Sequence, residues 1–232
     1  MRELAGLDAV DGQFGTILID PPWRFQNRTG KMAPEHRRLH RYRTMTFEAI
    51  AALPVGSLAA NKSHLYLWCP NALLPEALQI MNAWGFKYKT NLVWYKIRKD
   101  GGPDGRGVGF YYRNVTELLL LGVKGHLRTS APARSQVNIV NTRKQEHSRK
   151  PEEFLRIIER CSPGPHLELF AREKVPGWTQ WGDELATYHE TRRVHKGYEG
   201  GRPSSTLVLR FPPTIAEPRE SSQVGVRLAS ST

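Results

Sequence analysis

Short apolar runs alternate along this chain with polar, turn-forming stretches. Residues 14–19 read Phe-Gly-Thr-Ile-Leu-Ile and run straight into Asp20-Pro21-Pro22-Trp23. Aliphatic and β-branched residues that meet a carboxylate and two prolines predict a buried strand ending at a rigid loop. Stretches 64–69, 91–97, 114–122 and 166–170 have the same apolar character and read as further strands. Between them the spacing becomes helical. Phe47, Ile50 and Leu53 follow the capping residue Thr46, and Leu74, Leu78, Met81 and Trp84 keep a helical period until Gly85. Ser148-Arg149-Lys150-Pro151-Glu152-Glu153 opens a helix that buries Phe154, Leu155, Ile157 and Ile158 before Gly164. Strands interleaved with helices predict an α/β fold.

Function in open α/β sheets gathers at the carboxyl ends of strands, which directs attention to the loop after Ile19. Each proline fixes its own φ and restricts the residue before it, so Asp20 and the Pro21 and Pro22 carbonyls are held with little freedom. Rigid acceptors suit a substrate that donates hydrogen bonds. The exocyclic amine of adenine is one: its lone pair is delocalised into the ring, and it attacks an electrophile only when its hydrogens are drawn out of plane. Asp20 and a prolyl carbonyl would do the drawing, and would favour the transition state over the flat ground state. Trp23 would offer a face for the base to stack on. The competing interpretation is a solvent-capped strand end with a packed tryptophan.

Charge narrows the partner. The 232 residues carry a formal net charge of +12, which favours a polyanion, with nucleic acid ahead of a membrane surface. Basic residues concentrate in two segments, 24–43, which includes Arg37 and Arg38, and 124–150. Two such loops on one face would form a groove for a nucleic-acid strand. The two cysteines, Cys69 and Cys161, lack metal or disulfide spacing, so no metal is expected. No apolar run approaches the ~20 residues of a membrane span, and Met1-Arg2-Glu3 does not open a secretory signal, so a cytoplasmic protein is expected. The glycine-rich stretch 101–109 lacks a Gly-Lys-Ser/Thr ending and reads as a connector. Composition shifts near residue 188, giving an expected catalytic domain over 1–187 and a basic Gly/Pro/Ser-containing tail over 188–232.

Asp20-Pro21-Pro22-Trp23 resembles the catalytic motif of the DPPW adenine-N6 methyltransferases, the family of the eukaryotic mRNA adenosine methyltransferases and their bacterial and phage relatives. Tyr42-Arg43-Thr44-Met45, Leu65-Tyr66-Leu67-Trp68, Leu92-Val93-Trp94-Tyr95-Lys96, Leu121-Gly122-Val123-Lys124-Gly125, Ser148-Arg149-Lys150-Pro151 and Glu168-Leu169-Phe170-Ala171-Arg172 resemble family segments in the family's order. Together they cover about residues 14 to 185. The resemblance implies a Rossmann-like class I methyltransferase fold with a mostly parallel central sheet flanked by helices. It implies S-adenosyl-L-methionine as cofactor and adenine N6 in nucleic acid as acceptor.

Residue by residue, the resemblance makes Asp20, Pro21, Pro22 and Trp23 catalytic. It places Tyr42 and Glu117 on the substrate side, beside Arg37 and Arg38 of the basic loop. It assigns Lys150 to the cofactor's methionine carboxylate and Arg172 to its ribose, with Asp20, Glu168 and Phe170 beside them. Asp183 and Glu184 stand where the eukaryotic catalytic subunit has an amide pair that touches the cofactor. The acid that would hold the cofactor's adenine falls at Arg2-Glu3, with Asp8 or Asp11 as substitutes. DNA is favoured over RNA. A noncatalytic nucleic-acid-binding subunit, and methylation of cytosine N4 or of a protein side chain, are the alternatives; a homodimer or heterodimer is compatible with each.

Overall fold

The structure, a computed structural model, describes residue 7 and residues 10–24, 44–105, 111–143 and 149–182. The run before Asp20 forms β1 (Phe14–Ile19), with all six residues buried. A strand buried on both faces belongs inside a sheet. β1 lies between β2 (Ala59–Cys69) and β6 (His166–Leu169) and pairs parallel with both. With β3 (Lys87–Ile97), β4 (Thr116–Lys124), β5 (Ile139–Arg143) and β7 (Trp178–Trp181), they make a seven-stranded sheet in the order β5-β3-β4-β2-β1-β6-β7. Only β4 runs against its neighbours among these strands.

Alternation along the strands divides the core into two layers. Ile17, Ile19, Leu65, Leu67, Cys69 and Leu120 pack with Ile50 of α1 (Phe47–Ala51) and Ala77, Ile80 and Met81 of α3 (Leu74–Ala83). Leu18, Tyr66, Trp68, Trp94, Leu119 and Leu121 face the other way, against Phe154 and Ile158 of α4 (Glu152–Cys161). Each large apolar side chain buried this way contributes about 1.5–3 kcal/mol. Local sequence starts and stops the helices. Thr46 Oγ1 accepts from Ala49 N at 3.2 Å, and α3 ends where Gly85 turns with a φ of 84°. Glu152 and Glu153 occupy the first turn of α4 and Arg160 its last, in the sense that complements the helix dipole.

Five elements differ from expectation; among them, β2 begins at Ala59 rather than His64, and β7 forms where no strand is expected. β3 begins at Lys87 because β4 pairs with it there, although residues 87–90 are exposed and carry no apolar signal. The short strand β5, on the sheet edge, and a turn of helix, α2 (Val55–Leu58), also formed from sequence with no strong period. The basic segment 124–150 is corrected: it is not one loop on the catalytic face. β4 runs antiparallel, so Lys124 finishes at the end of the sheet opposite Asp20, where its Nζ donates to Gly56 O at 2.8 Å. The chain then returns through β5, and only Arg143, Arg149 and Lys150 among its described cations reach the edge that carries Asp20. The expected tail over 188–232 lies outside the described residues. Among those residues no helix is long and apolar enough to cross a membrane.

Candidate active site

The chain leaves β1 toward β2 on one side and later returns to β6 on the other, so the strand order reverses at β1. Such a switch point opens a crevice outside the carboxyl ends of the two diverging strands. Asp20 follows β1 and Phe170 follows β6. Between them lies a cavity of ≈ 390 Å³, lined also by Trp68, Lys150, Phe154, Glu168 and Arg172. Its size falls within the range of small-ligand and cofactor sites. It carries charges of both signs over an apolar wall made by Phe154, Leu155, Val175 and Pro176.

A row of alternating charges borders this cavity. Lys150 Nζ lies 2.9 Å from Asp20 Oδ2 and 3.0 Å from Glu117 Oε1, while Glu117 Oε2 receives Lys96 Nζ at 2.8 Å. Each lysine also lies over an indole ring, Lys150 at 4.9 Å from Trp68 and Lys96 at 4.5 Å from Trp94. Burial alone would raise the Glu117 carboxyl, but Lys150 and Lys96 outweigh it and hold the group down at about 2. Burial alone would lower the Lys150 ammonium, and Asp20 and Glu117 instead keep it above its ordinary value. Both groups are therefore charged at neutral pH.

The Asp-Pro-Pro-Trp loop is held from within. Trp23 N–H donates to Pro21 O at 2.8 Å and Met45 N–H to Pro22 O at 2.9 Å. Each carbonyl keeps a second lone pair. Trp23 is only 8 % exposed, and its Nε1–H donates to Trp68 O at 3.0 Å. The indole thus ties the loop to the end of β2, and its buried faces differ from the open stacking surface expected from the motif alone.

The other wall is shaped by Gln180. Its Nε2 donates to Glu168 Oε2 at 2.8 Å and to Glu173 O, and its Oε1 accepts from Val175 N at 2.7 Å. Arg149 closes the rim with a 3.0 Å bond to Glu173 Oε2. Burial pushes Glu168 up to about 7, Gln180 opposes the shift, and Asp20 and Glu173 add to it. Phe170 turns with a φ of 62°, a region that favours glycine, and its ring packs edge-on to Trp181 at 5.3 Å. The sharp turn after β6 is thus made by a phenylalanine where a glycine would be unstrained.

The structure brings together Asp20, Pro21, Pro22, Trp23, Glu117, Lys150, Glu168, Phe170 and Arg172 at one sheet edge. Both oxygens of Glu117, expected on the substrate side, are engaged by lysines. Tyr42, Arg37, Arg38, Asp183 and Glu184 lie outside the described residues, as do Asp8 and the Arg2-Glu3 pair. Lys96, Trp68 and Gln180 were not anticipated in these roles. Lys96 carries a faint signal, a lysine next to the end of the mostly apolar run 91–97. Gln180 carried none. Among the described residues no group of three or more His, Cys, Asp or Glu is placed to hold a metal ion.

Residues 14–184 match the family model MT-A70. The chain belongs to the MT-A70 family. MT-A70 proteins have a class I methyltransferase fold, in agreement with the mostly parallel sheet flanked by helices. The chain is 29 % identical over 220 residues to a probable N(6)-adenosine-methyltransferase MT-A70-like protein of Oryza sativa, covering 91 % of this chain and 29 % of the rice protein. It is 27 % identical over 189 residues to the type II methyltransferase M.MunI of a Mycoplasma species, covering 75 % of this chain and 78 % of that enzyme. It is also 26 % identical over 224 residues to the Drosophila melanogaster N(6)-adenosine-methyltransferase non-catalytic subunit METTL14, covering 90 % of this chain and 56 % of the subunit. The chain therefore spans under a third of the rice MT-A70 relative and most of the Mycoplasma one.

Proposed function

We propose that this MT-A70 protein transfers a methyl group from S-adenosyl-L-methionine to N6 of adenine in nucleic acid. The observation that carries the reading is the Asp20 carboxylate, fixed at 2.9 Å by Lys150 on the border of a cavity of cofactor size. The cavity's donor set fits the cofactor: Lys150 for a carboxylate, Arg172 for the ribose, Glu168 for an ammonium or ribose hydroxyls, and Phe154 and Phe170 for apolar surface. S-adenosyl-L-methionine bound there supplies the methyl carbon as an electrophile on a sulfonium.

The residues of the chain do the rest by position and charge. Asp20 accepts one hydrogen of the adenine amine and the free lone pair of a prolyl carbonyl accepts the other, which turns the nitrogen lone pair out of the ring plane. Methyl transfer would form the nitrogen–carbon bond as the methyl–sulfur bond breaks and a neutral thioether leaves; the Asp20 carboxylate would stabilise the positive charge gathering on the nitrogen more than it stabilises the neutral amine, and the surplus N–H proton would pass to water. Lys150 holds the carboxylate in place. Trp23 acts as a brace that keeps the loop from relaxing. Trp68, two residues before Pro70 at the end of β2, supports Lys150 from beneath.

DNA is the favoured substrate, supported by coverage of most of the type II methyltransferase. The free, buried Cys69 and Cys161 accord with a reducing, cytoplasmic setting. A second reading, a noncatalytic subunit, draws on the similarity to METTL14, whose name states that property. The intact Asp20-Pro21-Pro22-Trp23 motif and its charged support favour catalysis. Incubation of the protein with methyl-labelled cofactor and matched DNA and RNA oligonucleotides, followed by nucleoside analysis, tests the reading. Labelled N6-methyldeoxyadenosine is the expected product. Failure to bind the cofactor by calorimetry would establish the noncatalytic alternative.

A further inference from the structure

We propose that Lys96 is a positioning residue for methyl transfer, acting at second hand by holding Glu117 and thereby Lys150 against Asp20. The inference deepens the proposed function and rests on that reading. Lys96 stands next to the carboxyl end of β3, and its backbone is fixed on both sides. Its N–H donates to Val115 O at 2.8 Å and its carbonyl accepts from Asp104 N at 2.8 Å. Its ammonium, 2.8 Å from Glu117 Oε2, does not reach Asp20; among the described residues Lys150 alone bridges the two carboxylates. The Lys96 and Glu117 side chains are 19 % and 17 % exposed, so their attraction is only partly screened by water.

The row works only if Lys150 is shared evenly. Two carboxylates and two ammonium groups alternate, so each interior charge has an opposite charge on either side. Without Lys96, Lys150 is the one cation left beside Glu117 among the described residues. Glu117 then either draws the ammonium away from Asp20 or, because burial disfavours its charge, takes up a proton and releases Lys150 from that side. Either change moves the cation that orients the acceptor. Among the described residues, the groups facing Glu117 are Lys96 from β3, Lys150 from the segment ahead of α4, and Cys69 at the end of β2. Burial, Glu117 and Glu76 push the Cys69 thiol up to about 12, so it stays neutral. Trp94, the cross-strand partner of Glu117, contributes a ring and no titratable group.

The test compares wild type with K96M, K96R and E117Q, by carbon NMR titration of the glutamate carboxyls and by single-turnover methyl transfer against pH. E117Q identifies the Glu117 resonance. In K96M the Glu117 titration moves upward and the transfer rate falls about 10-fold or more. The acid limb of its pH–rate profile also moves up by about a unit or more. K96R, which keeps a cation at the position, recovers most of both. A purely structural lysine would lower stability without moving either curve. A folded K96M with wild-type carboxyl titration and pH–rate profile would overturn the inference. K96Q is judged by the same criteria should K96M not fold. Wild-type protein that transfers no methyl group would refute the functional reading, whereas the carboxyl titration decides the Lys96 contact independently.

Discussion

Lys150 Nζ and Asp20 Oδ2 lie 2.9 Å apart although 130 residues separate them in the chain. The contact joins the loop after β1 to the segment that leads into α4, both of which line the cavity. Only the completed sheet brings them together, so the acceptor is set as the fold closes.

The Trp23 bond to Trp68 predicts a large stability effect at a residue expected from the motif to act mainly on substrate. Trp23→Ala removes a buried indole and should cost about 3–5 kcal/mol, whereas Trp23→Phe keeps most of the packing, loses one hydrogen bond and should cost about 1–2 kcal/mol. Chemical denaturation measures both. An unchanged midpoint for Trp23→Ala would show that the indole is not bracing the loop.

Glu168 makes stability depend on pH with a definite sign. Its ordinary value of 4.5 rises to about 7 in the folded protein. Between those values the native state keeps a proton that the unfolded chain has shed. The Glu168 contribution is therefore fully present below about pH 4.5 and is lost as pH rises through about 7, a change on the order of 3 kcal/mol at most. Urea unfolding at several pH values should show this loss in wild type and a flatter dependence in Glu168→Gln. Equal slopes in the two proteins would contradict the assignment.

The same proton should govern cofactor affinity. A cation bound beside Glu168 favours the ionised carboxylate, so calorimetry should find tighter binding of S-adenosyl-L-methionine as pH rises toward about 7 and a plateau above it. Glu168→Gln should bind more weakly and with a flattened profile. A wild-type affinity that does not change across this range would exclude Glu168 from the site.

Phe170 should reverse the usual order of small residues. Its φ of 62° strains any side chain with a Cβ, so Phe170→Gly should be more stable than Phe170→Ala by about 1 kcal/mol, even though both lose the contact with Trp181. Thermal unfolding of the pair decides the point. A more stable alanine variant would show that the turn relaxes.

Much of this arrangement was legible in the chain. β1 and its rigid exit, the Thr46 cap, the core of α3 and the start of α4 follow from apolar period, capping and proline, all of which act within a few residues. The motif marked Asp20, and the family resemblance of the segment at 148–151 marked Lys150 separately. Their contact was not legible, because it depends on strands distant in sequence pairing in one register. Lys96 and Gln180 escaped for a related reason: a single polar residue in or beside a strand reads as surface until its partner is known. β5 and the exposed first residues of β3 were hidden because neighbouring strands, not their own pattern, hold them in the sheet.

The central claim is that the Asp20 carboxylate draws the hydrogens of an adenine amine and stabilises the charge that forms there. Asp20→Asn keeps the size of the side chain and removes the charge. Single-turnover methyl transfer to an adenine-containing oligonucleotide, with cofactor binding measured in parallel, should show a loss of about 100-fold or more in this variant while the cofactor still binds. Transfer at close to the wild-type rate would contradict the account.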